Sequence, residues 1–555
     1  MYHFINDLLP PSGIARNLQL YFYDNDNELA NRMAFSDKIH ESIVKKLMNI
    51  LRINPYSTVL KSLIDVPNLS NYNIALKSDS GLDQRVYNLP TTSEVAGIWV
   101  EREITEVSSA PHIRIYTHSN RSQIVNYSYG CYDPLQYPLL FPYGQSGWHC
   151  GIKKIIQPKD TSKRRAYCEH EELPSIRNMC SVDGYLDMEA QNLEKEKRKR
   201  DNISLREYYC YKFQMREDET NETLHSGRLF QQYSVDEHIK LETQRLDFFS
   251  FNPDLFRIEM LQGLIDVLRL GERDASNIGK QTFLPVTYIG GPRDMRRCYM
   301  DAISLVQQFG KPDLFITMTC NPSWPEIKEH LLPTDEAQNR PDLISRVFRA
   351  KIEELKSDIL KRNIFEKVAA FMYTIEFQKR GLPHAHFLII LTNEYKLLTP
   401  ESYDNIVRAE LPDCKAEETL YKLVLQHMMH GPCGKLNPTN SCMQKKNGCC
   451  KFNYPRSFAD QTSKGKNSYP IYRRRNTGLV KVKDHYFDNL WVVPYNPFLL
   501  EKFNCHINIE ICSDIKAVKY IYKYICKGHD KIAFHIHDND ANVEVDEIKE
   551  YQSAR

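Results

Sequence analysis

Two strand-like runs of apolar residues, separated by a short polar stretch, constrain the fold of this chain more than any other feature. Residues 368–377 and 386–391 are rich in aromatic and β-branched side chains, and Gly381 and Pro383 lie between them. Runs of this composition bounded by turn residues are typical of neighbouring β-strands. With a further strand predicted at 313–319 and a helix at 346–363, the sequence predicts a compact α+β sheet domain.

Two histidines lie at the start of the second run. Side chains in a strand alternate between faces, so His384 and His386 point the same way, as do Glu376 and Gln378 on the preceding segment. Two imidazole nitrogens and one side-chain oxygen can hold a divalent cation and leave positions open for a phosphate. Either Glu376 or Gln378 can supply the oxygen, or both can pair with neighbouring basic residues. The pattern predicts a site that cuts or joins nucleic acid.

A second motif, at residues 514–528, supplies a candidate nucleophile. Tyr520 and Tyr524 are four residues apart and share one face of a predicted helix, whereas Tyr522 is rotated by roughly 200°. Lys519 and Lys523 flank them. A tyrosine phenol can attack a phosphodiester, and the covalent phosphotyrosine conserves bond energy for rejoining. The pair is therefore typical of two successive phosphoryl transfers.

Two further segments carry a resemblance to a known family. They are Tyr-Pro-Leu-Leu-Phe-Pro-Tyr-Gly-Gln at 137–145 and Asp-Leu-Phe-Ile-Thr-Met-Thr-Cys-Asn-Pro-Ser-Trp-Pro-Glu at 313–326. Together with the histidine and tyrosine pairs, they resemble the N-terminal replication-initiator, helicase-like region of Helitron transposases. These rolling-circle initiators belong to the HUH endonuclease superfamily. The resemblance runs from about Leu18 to the end of the chain.

The resemblance implies a multidomain α+β protein with a central antiparallel-sheet HUH-type domain, flanked by helices and a His/Cys-rich insertion. It implies a Mg²⁺ or Mn²⁺ site formed by His384, His386 and, by the family pattern, Gln378, with Glu376 as the fallback. It further implies a nuclear, metal-dependent endonuclease and strand transferase. In such an enzyme Tyr520 or Tyr524 forms a 5′-phosphotyrosine link to single-stranded DNA at transposon ends.

Composition and hydropathy bound the remaining possibilities. The chain has 555 residues, 42% hydrophobic and 26% charged, as is ordinary for a soluble multidomain protein. Its net charge of +2 means that nucleic-acid binding must come from local patches. No run approaches the ~20 apolar residues of a membrane span, so we expect no membrane partner. Fifteen cysteines without a secretory signal predict reduced thiols and metal ligands.

Shifts in composition divide the chain into five parts. We predict an N-terminal mixed domain at 1–156, a charged linker at 157–204, and a helicase-like domain with the metal motif at 205–392. A His/Cys-rich insertion follows at 393–483, and the tyrosine-helix part of the sheet domain at 484–555. The linker contains a basic run at 195–200, which is more typical of a solvated segment than of a DNA contact.

The insertion contains ligand types and loop lengths that predict a structural zinc site. The candidate ligands are His430, Cys433, Cys442 and Cys450. Free thiols in a loop are the alternative, although loops this long seldom stay ordered without a metal or another constraint.

Clusters of basic residues predict contacts to the DNA backbone. Three arginines follow a Gly-Gly-Pro turn before a helix predicted at 300–309, three lie in the insertion, and two lysines flank the tyrosines. The candidate DNA-binding residues are Arg293, Arg296, Arg297, Arg473, Arg474, Arg475, Lys519 and Lys523.

Two other functions fit the same residues. One is an inactive, truncated transposon relic that only binds DNA, and the other is a zinc-organised interaction module. No Gly-x4-Gly-Lys-Ser/Thr motif of an ATPase occurs, so we expect the chain to lack the helicase part and to end within a helix. A second His-x-His, His535 and His537, lies beside acidic residues, and we expect it to be accidental.

Overall fold

A computed structural model describes the protein in two compact units. Unit 1 comprises residues 1–223 and 235–245, and unit 2 comprises residues 224–234 and 246–555. The described residues are 28–33, 40–62, 73–76, 96–99, 112–116, 122–154, 202–216, 221–252, 284–377, 381–434, 436–444, 448–463, 465, 470–482 and 485–512.

Unit 1 contains short helices and two-stranded antiparallel sheets. Strand β1 pairs with β2, and β3 pairs with β4. The elements are α1 (Glu28–Met33), α2 (Glu41–Leu51), α3 (Pro55–Ser62), β1 (Asn73–Leu76), β2 (Ala96–Trp99), β3 (His112–Tyr116), β4 (Ser122–Asn126), α4 (Tyr132–Gln136) and α5 (Leu205–Lys212).

A buried charge cluster joins three helices of unit 1. Helix α6 (Arg228–Phe251) contributes residues 235–245 to this unit, and its Lys240 pairs with Asp133 on α4 and with Glu237. The Tyr209 hydroxyl of α5 donates to Asp133 at 2.7 Å. Burial and the nearby Asp133 raise the pKa of Glu237 to about 8. The cluster therefore fixes α4, α5 and α6 through paired charges in a desolvated setting.

Unit 2 is built on a four-stranded antiparallel sheet. Its strands are β5 (Leu314–Thr319), β6 (Val368–Phe377), β7 (Pro383–Leu391) and β10 (Ile507–Ile511), in the order β10-β5-β7-β6. The predicted strand pair is confirmed, and β7 begins at Pro383, so both histidines of the motif lie inside the strand. Helices and antiparallel strands together confirm the α+β class.

One face of the sheet forms the main core of unit 2. Alternate residues of the strands, such as Ile316, Phe387 and Ile509, are 0–1% exposed and pack into one cluster. Helix α9 (Pro341–Leu360) contributes its apolar stripe to the same cluster. Because strand side chains alternate, the residues between these must point to the second face.

The second face is apolar at one end and polar at the other. Helix α7 (Pro292–Phe309) packs Ala302 and Val306 against Phe315 and Leu388, which covers the apolar end. The sequence predicted a helix start at residue 300, but the helix begins at Pro292. Proline at the first helical position suits a helix start. Its three arginines therefore lie within the helix rather than before it.

The 313–326 motif is held by hydrogen bonds from buried side chains. The Asp313 carboxylate accepts from the Leu391 N–H and from Lys396, both at 2.8 Å. The Trp324 indole N–H donates to the Phe503 carbonyl at 2.7 Å. These contacts fix the two ends of β5 and give the motif a structural role in the sheet.

The remaining elements of the described residues are short. The chain passes through helices α8 (Pro325–Lys328), α10 (Pro400–Asp404), α11 (Glu418–His427) and α12 (Pro497–Phe503), a hairpin of β8 (Val480–Val482) and β9 (His485–Phe487), and 3₁₀ turns at Glu222–His225, Ala337–Asn339, Asn393–Tyr395 and Asn489–Trp491. Within the described part, no helix is both long and apolar enough to cross a membrane.

Candidate functional site

Four residues form one row across the second face of the sheet. Three lie in β5, β7 and β6, and the fourth immediately precedes β10. Thr319 lies opposite His384, and His384 lies opposite Glu376. The Thr319 N–H donates to the His506 carbonyl at 2.9 Å, which places His506 beside Thr319 just before β10. Their neighbours along each strand belong to the apolar side, so these four side chains share the second face.

The next row of the register has the same polar character. Asn508 lies opposite Thr317, Thr317 opposite His386, and His386 opposite Thr374. We call the polar group Thr317, Thr319, His384, His386 and Glu376 the histidine face.

Each imidazole of the histidine face is held by a threonine from β5. The Thr319 hydroxyl lies 2.9 Å from His384 Nδ1, and the Thr317 hydroxyl lies 3.0 Å from His386 Nδ1. The His386 ring also stacks on Phe315, with centroids 5.9 Å apart. When Nδ1 donates to its threonine, the lone pair is on Nε2, which is the arrangement of histidines that bind metals.

Glu376 adds a carboxylate to this pair. Its Oε2 lies 3.4 Å from His386 Nε2, and the side chain is about one-third exposed. Gln378, which the family pattern favours as third ligand, lies outside the described residues. Of the two candidates, Glu376 is therefore the one whose oxygen is described beside the histidines.

Thr317 and Thr319 are not among the site residues predicted from the sequence. Thr317 and Thr319 alternate in β5 with the core residues Ile316 and Met318, so one face of this strand is polar. That alternation was visible in the sequence. The partner strand was not, because strand order is a long-range property.

His506 extends the polar row toward the insertion. Its Nδ1 lies 2.7 Å from the His427 carbonyl at the end of α11, so Nδ1 carries the proton and donates. Burial lowers the pKa of His506, which keeps the ring neutral near pH 7. Nearby Glu510 on β10 is held by the Tyr472 hydroxyl at 3.1 Å, and burial raises its pKa to about 6.

The four predicted zinc ligands come together in one cluster. One ligand atom of each of His430, Cys433, Cys442 and Cys450 lies within 4.8 Å of the others, and the three cysteines are buried. His430 Nε2 is 3.4 Å from Cys450 Sγ. The group could hold a metal such as zinc, because three thiols and one imidazole are a common tetrahedral donor set.

The main chain around the cluster fixes the ligands in place. The His430 N–H donates to the Trp491 carbonyl at 2.9 Å, and the Lys451 N–H donates to the Cys442 carbonyl at 2.8 Å. The Tyr454 ring stacks on His430 with centroids 4.2 Å apart. The cluster therefore lies in an ordered turn rather than in a loose loop.

The pKa values of the three thiols are shifted in different directions. Burial raises the pKa of Cys433 to about 12 and also raises that of Cys442. Burial acts in the same direction on Cys450, but main-chain N–H groups of Tyr454 and Phe452 hold its pKa below the usual value. Crowded thiols of this kind lose protons when a cation binds between them.

The predicted DNA-binding arginines of the insertion occupy different environments. Arg474 is 4% exposed, and its Nη1 lies within 3.1 Å of the carbonyls of Ala409, Asn489 and Val492. These contacts give Arg474 a structural role. The Arg475 guanidinium pairs with Glu410 at 2.8 Å and remains largely exposed. Arg473 is half-buried and lies 3.4 Å from the same carboxylate.

The arginines of α7 are closer to solvent. Arg296 and Arg297 are exposed, and Arg297 pairs with Asp294 at 2.6 Å. Arg293 donates to the Leu284 carbonyl at 3.1 Å. Several predicted features lie outside the described residues. They are Tyr520, Tyr524, Lys519, Lys523, the basic run at 195–200 and the second His-x-His at 535–537.

A comparison with protein families matches residues 208–389 to the Helitron helicase-like domain at N-terminus. The match spans β5 and β6 and ends within β7, so it contains every residue of the histidine face. No curated protein matches the chain. The resemblance is thus confirmed over residues 208–389, which match the Helitron helicase-like domain.

Proposed function

We propose that this protein is a metal-dependent, single-stranded DNA endonuclease and strand transferase of the HUH class, acting at transposon ends in the nucleus. The observation that carries the proposal is the histidine face. Two imidazoles on one strand are each held at Nδ1 by a threonine, with Glu376 on the adjacent strand.

The donor set of the histidine face fits a divalent cation. His384, His386 and Glu376 offer two nitrogens and a carboxylate, with Gln378 as the alternative oxygen. Three protein ligands leave about three octahedral positions for phosphate and water, as Mg²⁺ and Mn²⁺ prefer. When bound, the ion would neutralise a nonbridging phosphate oxygen and help to orient the bond for in-line attack.

The two tyrosines supply the nucleophile in this proposal. The phenolic oxygen of Tyr520 or Tyr524 attacks phosphorus, and a bond from that oxygen to phosphorus forms as the P–O3′ bond breaks. The phenol gives up its proton to solvent, the leaving oxygen takes a proton from solvent and becomes a free 3′-hydroxyl, and the 5′-phosphate stays on the tyrosine. Lys519 and Lys523 are proposed to contact the DNA backbone on the same helix, with the exposed arginines of α7 as further contacts.

The His430 cluster has a separate, structural role in the proposal. We propose one Zn²⁺ held by His430, Cys433, Cys442 and Cys450. Four protein ligands close a tetrahedral site and leave no open position, which is typical of structural rather than catalytic zinc.

A gel assay for a covalent protein–DNA adduct tests the nuclease. The protein is mixed with labelled single-stranded oligonucleotides from the ends of its element, with Mn²⁺ or Mg²⁺. We expect an adduct that disappears in His384→Ala and in the double variant Tyr520→Phe/Tyr524→Phe. Tyr522→Phe is the matched control, because helical spacing predicts that this tyrosine faces away from the pair, and it should keep the adduct.

The same assay separates the rival functions. A protein that retains labelled DNA without any adduct would be a binding relic. A protein that neither cleaves nor retains DNA, yet depends on zinc for folding, would be an interaction module.

A further inference from the structure

The segment around the His430 cluster carries a strong local positive charge. Residues 428–482 contain eleven lysines and arginines and a single acidic residue, Asp460. The whole chain has a net charge of only +2, so the rest of the chain is net acidic and the positive excess is local to this segment. Arg473 and Arg475 lie beside Glu410 and Arg474 is buried, whereas Lys451 and Arg456 are exposed. Exposed basic side chains attract polyanions and supply contacts to phosphates.

Planar side chains form a stack beside the cluster. The Arg456 guanidinium lies over the Tyr454 ring at 5.0 Å, and Tyr454 stacks on His430 at 4.2 Å. The Phe452 ring packs edge-on against His430, with centroids 5.9 Å apart and ring planes at 74°. His430 is a cluster ligand, so the stack is anchored at the most constrained point of the insertion.

The outer members of the stack face solvent. Phe452 is 58% exposed, and Arg456 and the adjacent Lys451 are exposed as well. Phe458, two residues beyond Arg456, is 42% exposed. Large aromatic rings are costly to leave in water, and exposed ones surrounded by basic residues are typical of surfaces that stack nucleic-acid bases. We call Lys451, Phe452 and Arg456 the stacking surface.

We propose that the stacking surface binds single-stranded DNA, with Phe452 stacking on a base and with Lys451 and Arg456 contacting phosphates. Single-stranded DNA fits better than a duplex, because the faces of paired bases are already stacked on one another. The charge excess favours a polyanion over an apolar protein partner. The choice of DNA rests on the proposed function, but binding at this surface does not require cleavage.

Fluorescence anisotropy with the full-length protein and a labelled oligo-dT tests this surface. All measurements use the His384→Ala background without added divalent cation, so that cleavage cannot contribute. We expect Phe452→Ala to weaken binding by about tenfold, because a base–aromatic stack contributes on that scale. Phe452→Trp should bind at least as well as the parent, since it keeps the ring.

Salt dependence tests the phosphate contacts. The slope of log affinity against log salt concentration should become shallower by about 0.7 in Arg456→Gln, as expected for one lost contact to a single strand. Phe452→Ala should leave the slope unchanged, because stacking releases no counterions.

Two matched controls lie outside the insertion. Phe498→Ala removes a 48% exposed ring on α12, and Arg349→Gln removes an exposed arginine on α9. Both should bind like the parent.

If Phe452→Ala and Arg456→Gln also bind like the parent, the proposal is wrong. It is equally overturned if duplex DNA of the same length binds as tightly, or if only an RNA oligonucleotide responds to the variants. An absent covalent adduct with an intact Phe452 effect would overturn the nuclease and leave this surface standing.

Discussion

At the residue scale, each imidazole on the histidine face is oriented by a hydroxyl group from the neighbouring strand. The Thr319–His384 and Thr317–His386 contacts are 2.9 and 3.0 Å long. A hydrogen bond at Nδ1 selects the tautomer and fixes the ring, and such partners strongly affect how well a histidine binds a metal. The threonines therefore act on the proposed chemistry through the histidines.

Thr319→Val should weaken Mn²⁺ binding by about 10- to 100-fold, because the substitution keeps the shape of the side chain but removes the hydroxyl that holds His384. Calorimetric titration with Mn²⁺ measures this, and the initial rate of adduct formation should fall with it. Thr392→Val is the control. Thr392 follows β7, the strand that carries His384, and its buried hydroxyl has no partner among the described residues. Unchanged Mn²⁺ affinity in Thr319→Val would show that the contact does not position His384.

Local patterns and long-range pairing differ in how far the sequence determines them. The shared face of His384 and His386 was predictable, because alternation is a property of one strand. Their threonine partners lie 65 and 69 positions earlier, and which strands become neighbours depends on packing across the whole unit. The cysteine cluster was predictable for the opposite reason, since its ligands lie within one short stretch and their chemistry is distinctive.

At the element scale, the edge strand β10 is covered by the insertion and by the segment that follows the insertion. The Ile509 N–H donates to the Pro494 carbonyl at 3.1 Å, and the Ile511 N–H donates to the Tyr472 hydroxyl at 2.8 Å. The same hydroxyl donates to Glu510. An edge strand whose N–H groups are paired is protected from joining another sheet. Tyr472 of the insertion and Pro494 of the following segment therefore complete the sheet domain.

Glu510→Gln should change the pH dependence of stability. Burial raises the pKa of Glu510 to about 6 in the folded protein, above its ordinary value of 4.5. The carboxyl group thus contributes stability below about pH 4.5, and this contribution is lost as the pH rises through 6. Relative to wild type, the glutamine variant should gain about 1–2 kcal/mol between pH 4.5 and 7.5.

Urea unfolding monitored by tryptophan fluorescence at both pH values measures this change. Glu501→Gln, an exposed glutamate on α12, should show a difference within about 0.5 kcal/mol at both. If the Glu510→Gln variant instead loses stability relative to wild type as the pH rises, the predicted direction of the pH dependence is wrong.

Substitution of Arg474 should lower the free energy of unfolding by more than substitution of Arg475. Arg474→Ala leaves three buried carbonyls without their donor and should lower the free energy of unfolding by about 3 kcal/mol or more. Arg475→Ala removes an exposed partner of the buried Glu410 carboxylate, which keeps Arg473 and the main-chain N–H of position 475 beside it, and should cost less, about 1–2 kcal/mol. Chemical denaturation measures both, and equal losses would contradict the structural role of Arg474.

At the scale of the whole molecule, the proposed functions depend on two metal sites with different chemistry. The histidine face offers nitrogen and oxygen ligands on a sheet that packs on an apolar core. The His430 cluster offers three thiols and an imidazole in an insertion made of short elements. Hard divalent cations exchange readily at the first type of site, whereas thiolate-rich sites bind zinc tightly and couple it to folding.

Metal removal should therefore act in two separable stages. Exchange into buffer without Mg²⁺ or Mn²⁺ should abolish the adduct and leave the thermal unfolding midpoint and the zinc content of one per chain unchanged. A strong zinc chelator should remove that zinc, lower the midpoint, and expose Cys433, Cys442 and Cys450 to a thiol reagent, because the metal otherwise holds them as thiolates. Cys442→Ser should reproduce the second stage, whereas Cys414→Ser, an exposed cysteine outside the cluster, should not. If chelation frees no additional thiols, the cluster holds no metal, and the insertion must be ordered by its hydrogen bonds to residues 489–495 and to β10 alone.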